Sequence, residues 1–227
     1  MIIKEVPHFM KNSKICGRFA PTPSGRIHLG NIFCSLLAWL HAKSQGGEIV
    51  LRIEDLDKVR CPRPNADLLA KDLEWLGLTW DKGAYVSEDS ERYFQSQRFD
   101  IYAEHFRKLE EQGLIYPCFC SRGQLHAAEA PHLSDGRILY AGTCKNLTAS
   151  EREERAKLRQ PAYRLAVNDE PISFIDGNYG KQSYNLIEES GDFIVRRSDG
   201  VYAYQLAVTV DDGLMNVTHV VRGADLL

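Results

Sequence analysis

The chain has 227 residues, a formal net charge of −3, 44% apolar residues and 26% charged residues. This balance is typical of a water-soluble globular protein with one large domain, and it argues against indiscriminate nucleic-acid binding. No apolar run approaches the ~20 residues of a membrane-spanning helix, and the N-terminus lacks the pattern of a secretion signal. The six cysteines fit free thiols or metal ligands in a reducing cytosol better than disulfides. We therefore expect a cytoplasmic protein without membrane contact.

The first half of the chain predicts a β-α-β unit followed by two helices. An apolar run from Ile15 to Ala20 predicts a strand, and apolar residues at helical spacing predict a helix from Gly30 to about Ser44. The segment from Glu48 to Ile53 predicts a second strand, parallel to the first because the helix crosses between them. Helical spacing then predicts one helix capped by Asn65 and ended by Gly77, and another from Ser90 to Gln112.

The second half has a mixed pattern that indicates an insertion within a nucleotide-binding fold. A Thr-x-x-Glu capping box at Thr148 and Glu151 predicts the start of a charged helix. Short strands are predicted over residues 162–167, 172–175 and 193–196. Helical spacing returns from Ala203, and residues 218–221 predict a further strand.

The segment from Gly17 to Asn31 reads GRFAPTPSGRIHLGN and is the most informative part of the sequence. A strand that turns through prolines and a glycine into a helix presents free backbone N–H groups, which suit a phosphate. The same order would also fit an ordinary strand-to-helix loop with a capping histidine. The fifteen residues resemble the first signature of class I aminoacyl-tRNA synthetases, in the form found in glutamyl-tRNA synthetases. This resemblance implies that His28 is the catalytic group and that His28, Gly30 and Asn31 bind ATP.

A group of acidic residues follows the second predicted strand, where residues 52–57 read RIEDLD. Ligands of open parallel sheets bind at the carboxyl ends of the strands, so these carboxylates could hold an ammonium group or a metal. They could equally form a solvated strand end. The segment resembles the Arg-Ile-Glu-Asp-x-Asp step of glutamyl-tRNA synthetases, which implies that Glu54 contacts the α-amino group of the substrate.

Two later segments extend the resemblance. Residues 204–212, YQLAVTVDD, and residues 218–223, THVVRG, are similar to the second block of motifs in the same family. The resemblance implies that Tyr204 and Arg222 line the amino-acid pocket.

A buried arginine pairs well with a planar carboxylate. Arg18 and Arg222 together therefore indicate an amino acid with a carboxylate in its side chain. In the alternative interpretation, one arginine forms a salt bridge with Asp211 or Asp212. The glutamate site that the resemblance implies comprises Arg18, Phe19, Ala20, Pro21, Thr22, Glu54, Tyr204 and Arg222.

The third pattern is CFC at residues 118–120 followed by YAGTC at residues 140–144. Three cysteines are one ligand short of a tetrahedral zinc site. Tyr140 would be an unusual fourth ligand, and His126 and His132 are alternatives in the same loop; three buried free cysteines are the other interpretation. The pattern resembles the zinc site of glutamyl-Q tRNA(Asp) synthetases, short paralogues of glutamyl-tRNA synthetases that modify queuosine. It implies a structural zinc ion held by Cys118, Cys120, Tyr140 and Cys144.

The resemblance covers about residues 15–227 and implies an α/β fold, a class I synthetase Rossmann-like parallel sheet with a zinc-bearing insertion subdomain. We expect an N-terminal extension over 1–14, the first half of the catalytic domain over 15–113, the insertion over 114–192 and the second half over 193–227. In the family a Lys-x-Ser-Lys-type loop follows the second block, and this sequence stops at Leu227 before it. Either the sequence is truncated or the protein has lost the loop that clamps the triphosphate. In both cases we expect the chain to bind glutamate but to activate it poorly.

The implied reaction is ATP-dependent activation of L-glutamate and its transfer to queuosine at the wobble position of tRNA(Asp). The chain would then be a monomeric, cytoplasmic ligase of tRNA modification, with ATP and Mg²⁺ as substrate and zinc as structural cofactor. Three alternatives remain. They are the catalytic-domain fragment of a glutamyl-tRNA synthetase that charges the tRNA 3′ end, a small-molecule nucleotidyltransferase, and a zinc-containing, non-enzymatic RNA-binding module.

Overall fold

The structure, a computed structural model, describes residues 14–125 and 139–223. The predicted extension over 1–14 lies outside the described residues except for Lys14, and so do the alternative metal ligands His126 and His132. None of the described helices has both the length and the apolar character that crossing a membrane requires.

The chain forms two compact units. The first comprises Met1–Phe99 and Thr209–Leu227, and the second comprises Asp100–Val208. The predicted boundaries of the insertion, before residue 114 and after residue 192, stay a prediction.

The first unit is built on a parallel sheet. Its strands β1 (Cys16–Phe19), β2 (Glu48–Leu51) and β3 (Lys82–Gly83) lie in that order, and both pairs are parallel. Helix α1 (Leu29–Lys43) connects β1 to β2, and α2 (Arg63–Trp75) follows β2 in the chain. The predicted β-α-β unit is confirmed, because a parallel pair requires a crossover of this length.

The core of the first unit lies against this sheet, as parallel strands require cover on both faces. Ile49 and Leu51 of β2 are fully buried. Helix α1 approaches β1 closely at Gly17, where an added Cβ would lie 3.0 Å from Ile49 Cδ1 and 3.5 Å from Ala42 Cβ. The small buried side chains of Ala38 and Ala42 allow this approach.

The predicted long helix after Ser90 is interrupted over its first turns. Short 3₁₀ helices occupy Ser90–Tyr93 and Gln95–Gln97, and α3 (Phe99–Glu111) begins only after them. Phe94 separates the two short helices, since its backbone is extended and forms a parallel bridge with Ile53. Its ring is fully buried. Burying a large apolar side chain outweighs the helical pattern at this point.

Helix α2 begins earlier than the predicted cap. Its N-cap residue is Pro62, which places Asn65 inside the first turn. The side chain of Asn65 instead donates a 3.2 Å hydrogen bond to the carbonyl of Pro23. Asn65 therefore ties α2 to the loop that carries the first signature.

The second unit contains two antiparallel sheets. Its strands in chain order are β4 (Ile115–Cys118), β5 (Ala162–Leu165), β6 (Pro171–Asp176), β7 (Gly180–Asn185) and β8 (Ile194–Arg196). Strands β4, β5 and β8 form one sheet, and β6 and β7 form a hairpin. Strand β7 was not predicted because its sequence, GKQSYN, is polar and gives no alternating apolar signal.

Among the described residues, the helices that lie wholly within the second unit are α4 (Arg122–Leu125), α5 (Ala149–Leu158) and α6 (Leu186–Glu189). The capping box predicted for α5 is confirmed. The Glu151 N–H donates to Thr148 Oγ1 at 3.3 Å, and the Thr148 N–H donates to the Glu151 carboxylate at 2.8 Å.

The last described helix, α7 (Tyr204–Leu214), confirms the helical spacing of that segment. The strand predicted over 218–221 is wrong, because these residues have no strand structure. The N–H groups of Thr218 and His219 both donate to the carbonyl of Cys16, at 2.9 and 3.1 Å. The segment therefore meets β1 at a single residue, which is too short a pairing for a strand.

Replacing Gly83 by alanine is expected to destabilise the first unit more than the same change at Gly46. Both glycines have positive φ angles, 114° and 68°, so either alanine carries backbone strain of about 1–2 kcal/mol. At Gly83 the added Cβ would also lie 2.1 Å from the Leu51 carbonyl oxygen, whereas nothing lies within 4 Å at Gly46. Chemical denaturation of both variants measures the difference. Equal destabilisation would contradict the close approach of β3 to β2.

Candidate functional site

The loop between β1 and α1 carries the first signature and leads to the N-terminus of α1. His28 is the N-cap residue, and its exposed side chain makes no capping hydrogen bond with the described residues. The ring lies beside Gly30, where an added Cβ would be 3.3 Å from Cε1 and Nδ1. Gly30 is exposed, Asn31 is half-buried, and the first turn holds no acidic side chain. The helix start and His28 can therefore receive an anion together.

Arg18 and Glu54 are joined by alternating charges. Nε of Arg18, whose side chain is 9% exposed, donates to the Asp212 carboxylate at 3.2 Å. The same carboxylate accepts a 2.6 Å hydrogen bond from Nη1 of Arg52. Nη2 of Arg52 donates to Oε1 of Glu54 at 3.0 Å. We call the series Arg18, Asp212, Arg52 and Glu54 the charge chain.

Asp211 makes a second set of contacts beside the charge chain. Its carboxylate accepts hydrogen bonds from Arg98 Nε at 2.7 Å and from Gln95 Nε2 at 2.8 Å. Arg52 Nε lies 3.7 Å from Oδ2 of Asp211. Together with the charge chain, Arg98 and Asp211 form a group of three arginines and three carboxylates. The formal charges of this group sum to zero. The balance explains how these ionised groups are tolerated in the interior.

Burial controls the protonation of Glu54, which is 6% exposed. Desolvation raises the pKa of this carboxyl above its usual range, although the charges of Arg52 and Arg18 oppose the shift. For Arg52, burial disfavours the charged form, but Glu54 and Asp212 outweigh it and raise its pKa. The ionised state of Glu54 therefore depends on its arginine partners.

The other acidic residues after β2 have separate partners. Asp55 accepts hydrogen bonds from the N–H of Ser96 at 2.9 Å and from its hydroxyl at 2.7 Å. Asp57 accepts the N–H of Arg60 at 3.2 Å. Glu54 and Asp55 are both buried, so the interpretation of a solvated strand end is wrong for these two residues.

The signature residues next to Arg18 differ in their exposure. Phe19 is buried in the core of the first unit. Ala20 and Pro21 are half-buried, and Thr22 is exposed. The carbonyl of Pro21 accepts the N–H of Glu54 at 3.0 Å, which fixes the signature loop beside the end of β2.

Arg222 and Tyr204 are the remaining residues of the predicted glutamate site. Arg222 is exposed, whereas a buried arginine was expected, and the predicted strand that leads to it does not form. Tyr204 is the first residue of α7 and belongs to the second unit. The roles of both residues stay predictions.

A group of sulfur and oxygen ligands lies in the second unit, and we call it the cysteine cluster. The Sγ atoms of Cys118, Cys120 and Cys144 lie within 4.8 Å of one another. The Sγ atoms of Cys120 and Cys144 are 3.6 Å apart. The hydroxyl of Tyr140 lies 3.4 Å from Cys118 Sγ and 3.9 Å from Cys120 Sγ. In the described part of the chain, no other such group of cysteine, histidine and acidic side chains is found.

The separations in the cysteine cluster match the edges of a zinc tetrahedron. With Zn–S bonds of ~2.3 Å, two sulfurs lie about 3.8 Å apart, and a sulfur and an oxygen lie about 3.6 Å apart. The Cys120–Cys144 separation of 3.6 Å is close to the first value, and the sulfur–oxygen separations of 3.4 and 3.9 Å lie on either side of the second. The donor set and its size therefore fit zinc.

Positive side chains surround the cysteine cluster. Nη1 of Arg155 lies 3.8 Å from Cys144 Sγ, and the guanidinium carbon of Arg164 lies 3.7 Å from the centre of the Tyr140 ring. Burial raises the pKa of the Cys118 thiol, but hydrogen bonds from Tyr140 and the neighbouring backbone outweigh it, and the net pKa is lowered. At Cys120, burial and the neighbouring Cys118 raise the thiol pKa to about 12. The surrounding groups therefore favour the thiolate form, which is the form that binds metals, at Cys118.

Sequence reasoning did not assign roles to Arg52 or Arg98, and it considered Asp211 and Asp212 only as partners of one arginine, a salt bridge that the structure shows between Arg18 and Asp212. Two signals in the sequence point to them. Arg52 directly follows the buried run EIVL, where a charged side chain needs a partner. Two adjacent aspartates also interrupt an apolar helix pattern in YQLAVTVDD. Neither signal identifies which charges pair.

Comparison with known proteins adds independent information. The family described as tRNA synthetases class I (E and Q), catalytic domain, matches residues 14–227. A protein of Symbiobacterium thermophilum named glutamyl-Q tRNA(Asp) synthetase is 50% identical over 216 residues, covering 94% of this chain and 67% of the relative. A protein of the same name from Nitratidesulfovibrio vulgaris is 48% identical over 215 residues, covering 94% of this chain and 66% of the relative.

A solved structure is also similar. The glutamate tRNA ligase of Elizabethkingia meningosepticum, in complex with its amino acid, has a TM-score of 0.76 at 28% identity. The match covers 94% of this chain and 44% of that protein. The chain thus spans two thirds of the length of the two curated relatives and less than half of the solved ligase.

Replacing Arg52 by glutamine is expected to lower the free energy of unfolding by about 3–5 kcal/mol, because it leaves buried carboxylates without their shared cation. The matched control is Arg92→Gln, which removes an exposed arginine paired with Asp89. That change is expected to cost about 0.5 kcal/mol or less. Urea denaturation of both variants measures the difference. A loss below about 1 kcal/mol for Arg52→Gln would contradict the central role of Arg52.

Proposed function

The chain belongs to the class I tRNA synthetases (E and Q), in their catalytic-domain family, and from this premise we propose that it activates L-glutamate with ATP. We further propose that the glutamyl group passes to queuosine at the wobble position of tRNA(Asp). The names of the two curated relatives support the choice of amino acid and tRNA. The proposal rests on the charge chain, which has a cation, Arg18, at one end and an anion, Glu54, at the other.

The two ends of the charge chain suit the two charged ends of glutamate. Arg18 uses Nε for Asp212, and among the described residues its two Nη groups have no hydrogen-bond partner. These groups can therefore bind the side-chain carboxylate as a fork. Glu54 uses Oε1 for Arg52, and its remaining carboxylate oxygen can accept the α-ammonium group. Burial strengthens both contacts because solvent screening is weak there.

The proposed chemistry needs position and charge more than a protein nucleophile. The α-carboxylate of glutamate attacks the α-phosphate of ATP, forming the C–O–P bond of glutamyl-adenylate, and pyrophosphate leaves. His28 and the first N–H groups of α1, including those of Gly30 and Asn31, would stabilise the charge that develops on the phosphate. Mg²⁺ would accompany ATP, and we assign no protein ligand to it.

The second step is an acyl transfer that releases AMP as the glutamyl group moves to the tRNA. We propose queuosine as the acceptor because the cysteine cluster has the Cys-x-Cys and Tyr-x-x-x-Cys spacing that resembles glutamyl-Q tRNA(Asp) synthetases.

We also propose that the protein acts in the cytoplasm, where its tRNA substrate would be, and that it acts as a monomer. Tyr204 and Arg222 keep their predicted roles in the amino-acid pocket as part of this proposal.

Zinc is proposed as a structural ion of the cysteine cluster. Cys118, Cys120, Tyr140 and Cys144 would hold it, and four protein ligands leave no open position for catalysis. Bound zinc would join the segment that contains β4 to the segment before α5. The positive charges of Arg155 and Arg164 would offset the excess negative charge of the thiolates.

Glutamate is expected to bind more tightly than glutamine or aspartate. Glutamine leaves the Arg18 fork without its charged partner, which costs about 1–3 kcal/mol, or about 5- to 160-fold in Kd. Aspartate is one methylene too short to reach both Arg18 and Glu54. Calorimetry of the three amino acids, with Arg18→Gln as test variant and Arg92→Gln as control, measures this preference. Equal affinity for glutamate and glutamine in the unaltered protein would overturn the proposed function.

The protein purified without chelator is expected to contain about one zinc ion per chain. Cys144→Ser is expected to lose the metal and to lower the melting temperature. Cys34→Ser, which alters a half-buried cysteine of α1 outside the cluster, is expected to keep the metal. Elemental analysis measures the zinc content of all three proteins. Less than about half an ion per chain after reconstitution with zinc would count against the site.

A further inference from the structure

Asp212 stands at the centre of the charge chain and is shared by two arginines. Its carboxylate receives Nε of Arg18 at 3.2 Å and Nη1 of Arg52 at 2.6 Å. Its side chain is 22% exposed, whereas the side chain of the adjacent Asp211 is fully buried. Two neighbouring residues of α7 thus have different surroundings.

The two aspartates also have different partners. The hydrogen bonds to Asp211 come from Arg98 and Gln95, which lie outside the charge chain, and Arg52 Nε is 3.7 Å from its carboxylate. Asp212 instead contacts both the residue proposed to bind the side-chain carboxylate and the residue that holds Glu54. Asp211 is therefore placed to stabilise the interior, and Asp212 is placed to affect the ligand.

We propose that Asp212 is a positioning residue that sets the preference of this site for a substrate with a side-chain carboxylate. This inference rests on the proposed function. By taking Nε of Arg18, Asp212 fixes the plane of the guanidinium and turns its two Nη groups outward as one fork. A fork held in one plane binds a planar carboxylate through two parallel hydrogen bonds, and a carboxamide can accept only through its single oxygen.

The alternation of charge supports the same role. Glutamate extends the charge chain at both ends, since its side-chain carboxylate follows Arg18 and its ammonium group follows Glu54. Every ionic group then has an opposite charge on each side. Glutamine interrupts the alternation at Arg18, and loss of the Asp212 charge interrupts it in the middle. The first interruption is what distinguishes glutamine from glutamate, and the second reduces that difference because Arg18 loses the carboxylate that orients it.

The test compares Asp212→Asn and Asp212→Glu with the unaltered protein. Asparagine keeps the size of the side chain and one oxygen acceptor, and glutamate keeps the charge. Asp81→Asn is the matched control, because Asp81 pairs with Lys43 outside the charge chain and an amide oxygen can still accept the N–H of Ile49. Melting temperatures establish that each variant is folded.

The readout is the ratio of the Kd for glutamine to the Kd for glutamate, measured by calorimetry. Asp212→Asn is expected to lower this ratio about tenfold or more, mainly through weaker glutamate binding. Asp212→Glu is expected to retain a higher ratio than Asp212→Asn, and Asp81→Asn to leave the ratio unchanged. A merely structural loss would weaken both amino acids together and leave the ratio intact.

An unchanged ratio in a folded Asp212→Asn protein would overturn this inference while leaving the proposed function in place. Failure of the unaltered protein to prefer glutamate would overturn the proposed function itself, before any variant is considered. A ratio that falls equally in the Asp212→Asn and Asp81→Asn proteins would also overturn the inference, because the effect would then be one of overall charge.

Discussion

Arg52 is a fully buried cation that directly follows β2, and the arrangement of the first unit depends on its neutralisation. Its guanidinium contacts Glu54, Asp212 and Asp211, which come from two distant parts of the chain. A buried ionised group without partners is strongly unfavourable, so β2 and the end of α7 have to meet at this residue. Asp211 also pairs with Arg98, which directly precedes α3, so this ion pair fixes the position where that helix begins.

The geometry of the proposed ligand site follows from this neutralisation. Arg18 and Glu54 are not paired with each other; each is bound to a member of the buried series instead. Their remaining hydrogen-bonding groups carry opposite charges and lie at the two ends of the charge chain. A zwitterion with an extra carboxylate matches this pattern, because its own charges are separated in the same order. If glutamate binds as proposed, interior ion pairs hold Arg18 and Glu54 in place before the ligand arrives.

The cysteine cluster is a second, separate case of local compensation. Its thiols are buried and crowded, which disfavours the thiolate form that metals require. Arg155 and Arg164 lie close enough to offset negative charge, and the N–H of Cys144 donates to the Tyr140 hydroxyl at 2.9 Å. Tyr140 is therefore oriented by the backbone toward the three sulfurs. Tyrosine is an unusual zinc ligand, and this backbone hydrogen bond explains how the Tyr140 hydroxyl is held near the sulfurs.

The sequence by itself determined the elements and motifs that rest on local patterns. The β-α-β unit and the capping box at Thr148 and Glu151 are confirmed, because each depends on patterns along the chain. The three cysteines also lie together, and their metal stays a prediction. Tertiary structure decided the rest. The buried bridge of Phe94 interrupts a helix, the segment after α7 meets β1 at one residue only, and Asp212 joins Arg18 to Arg52. Long-range burial and charge pairing govern these outcomes, and neither has a periodic signature in the sequence.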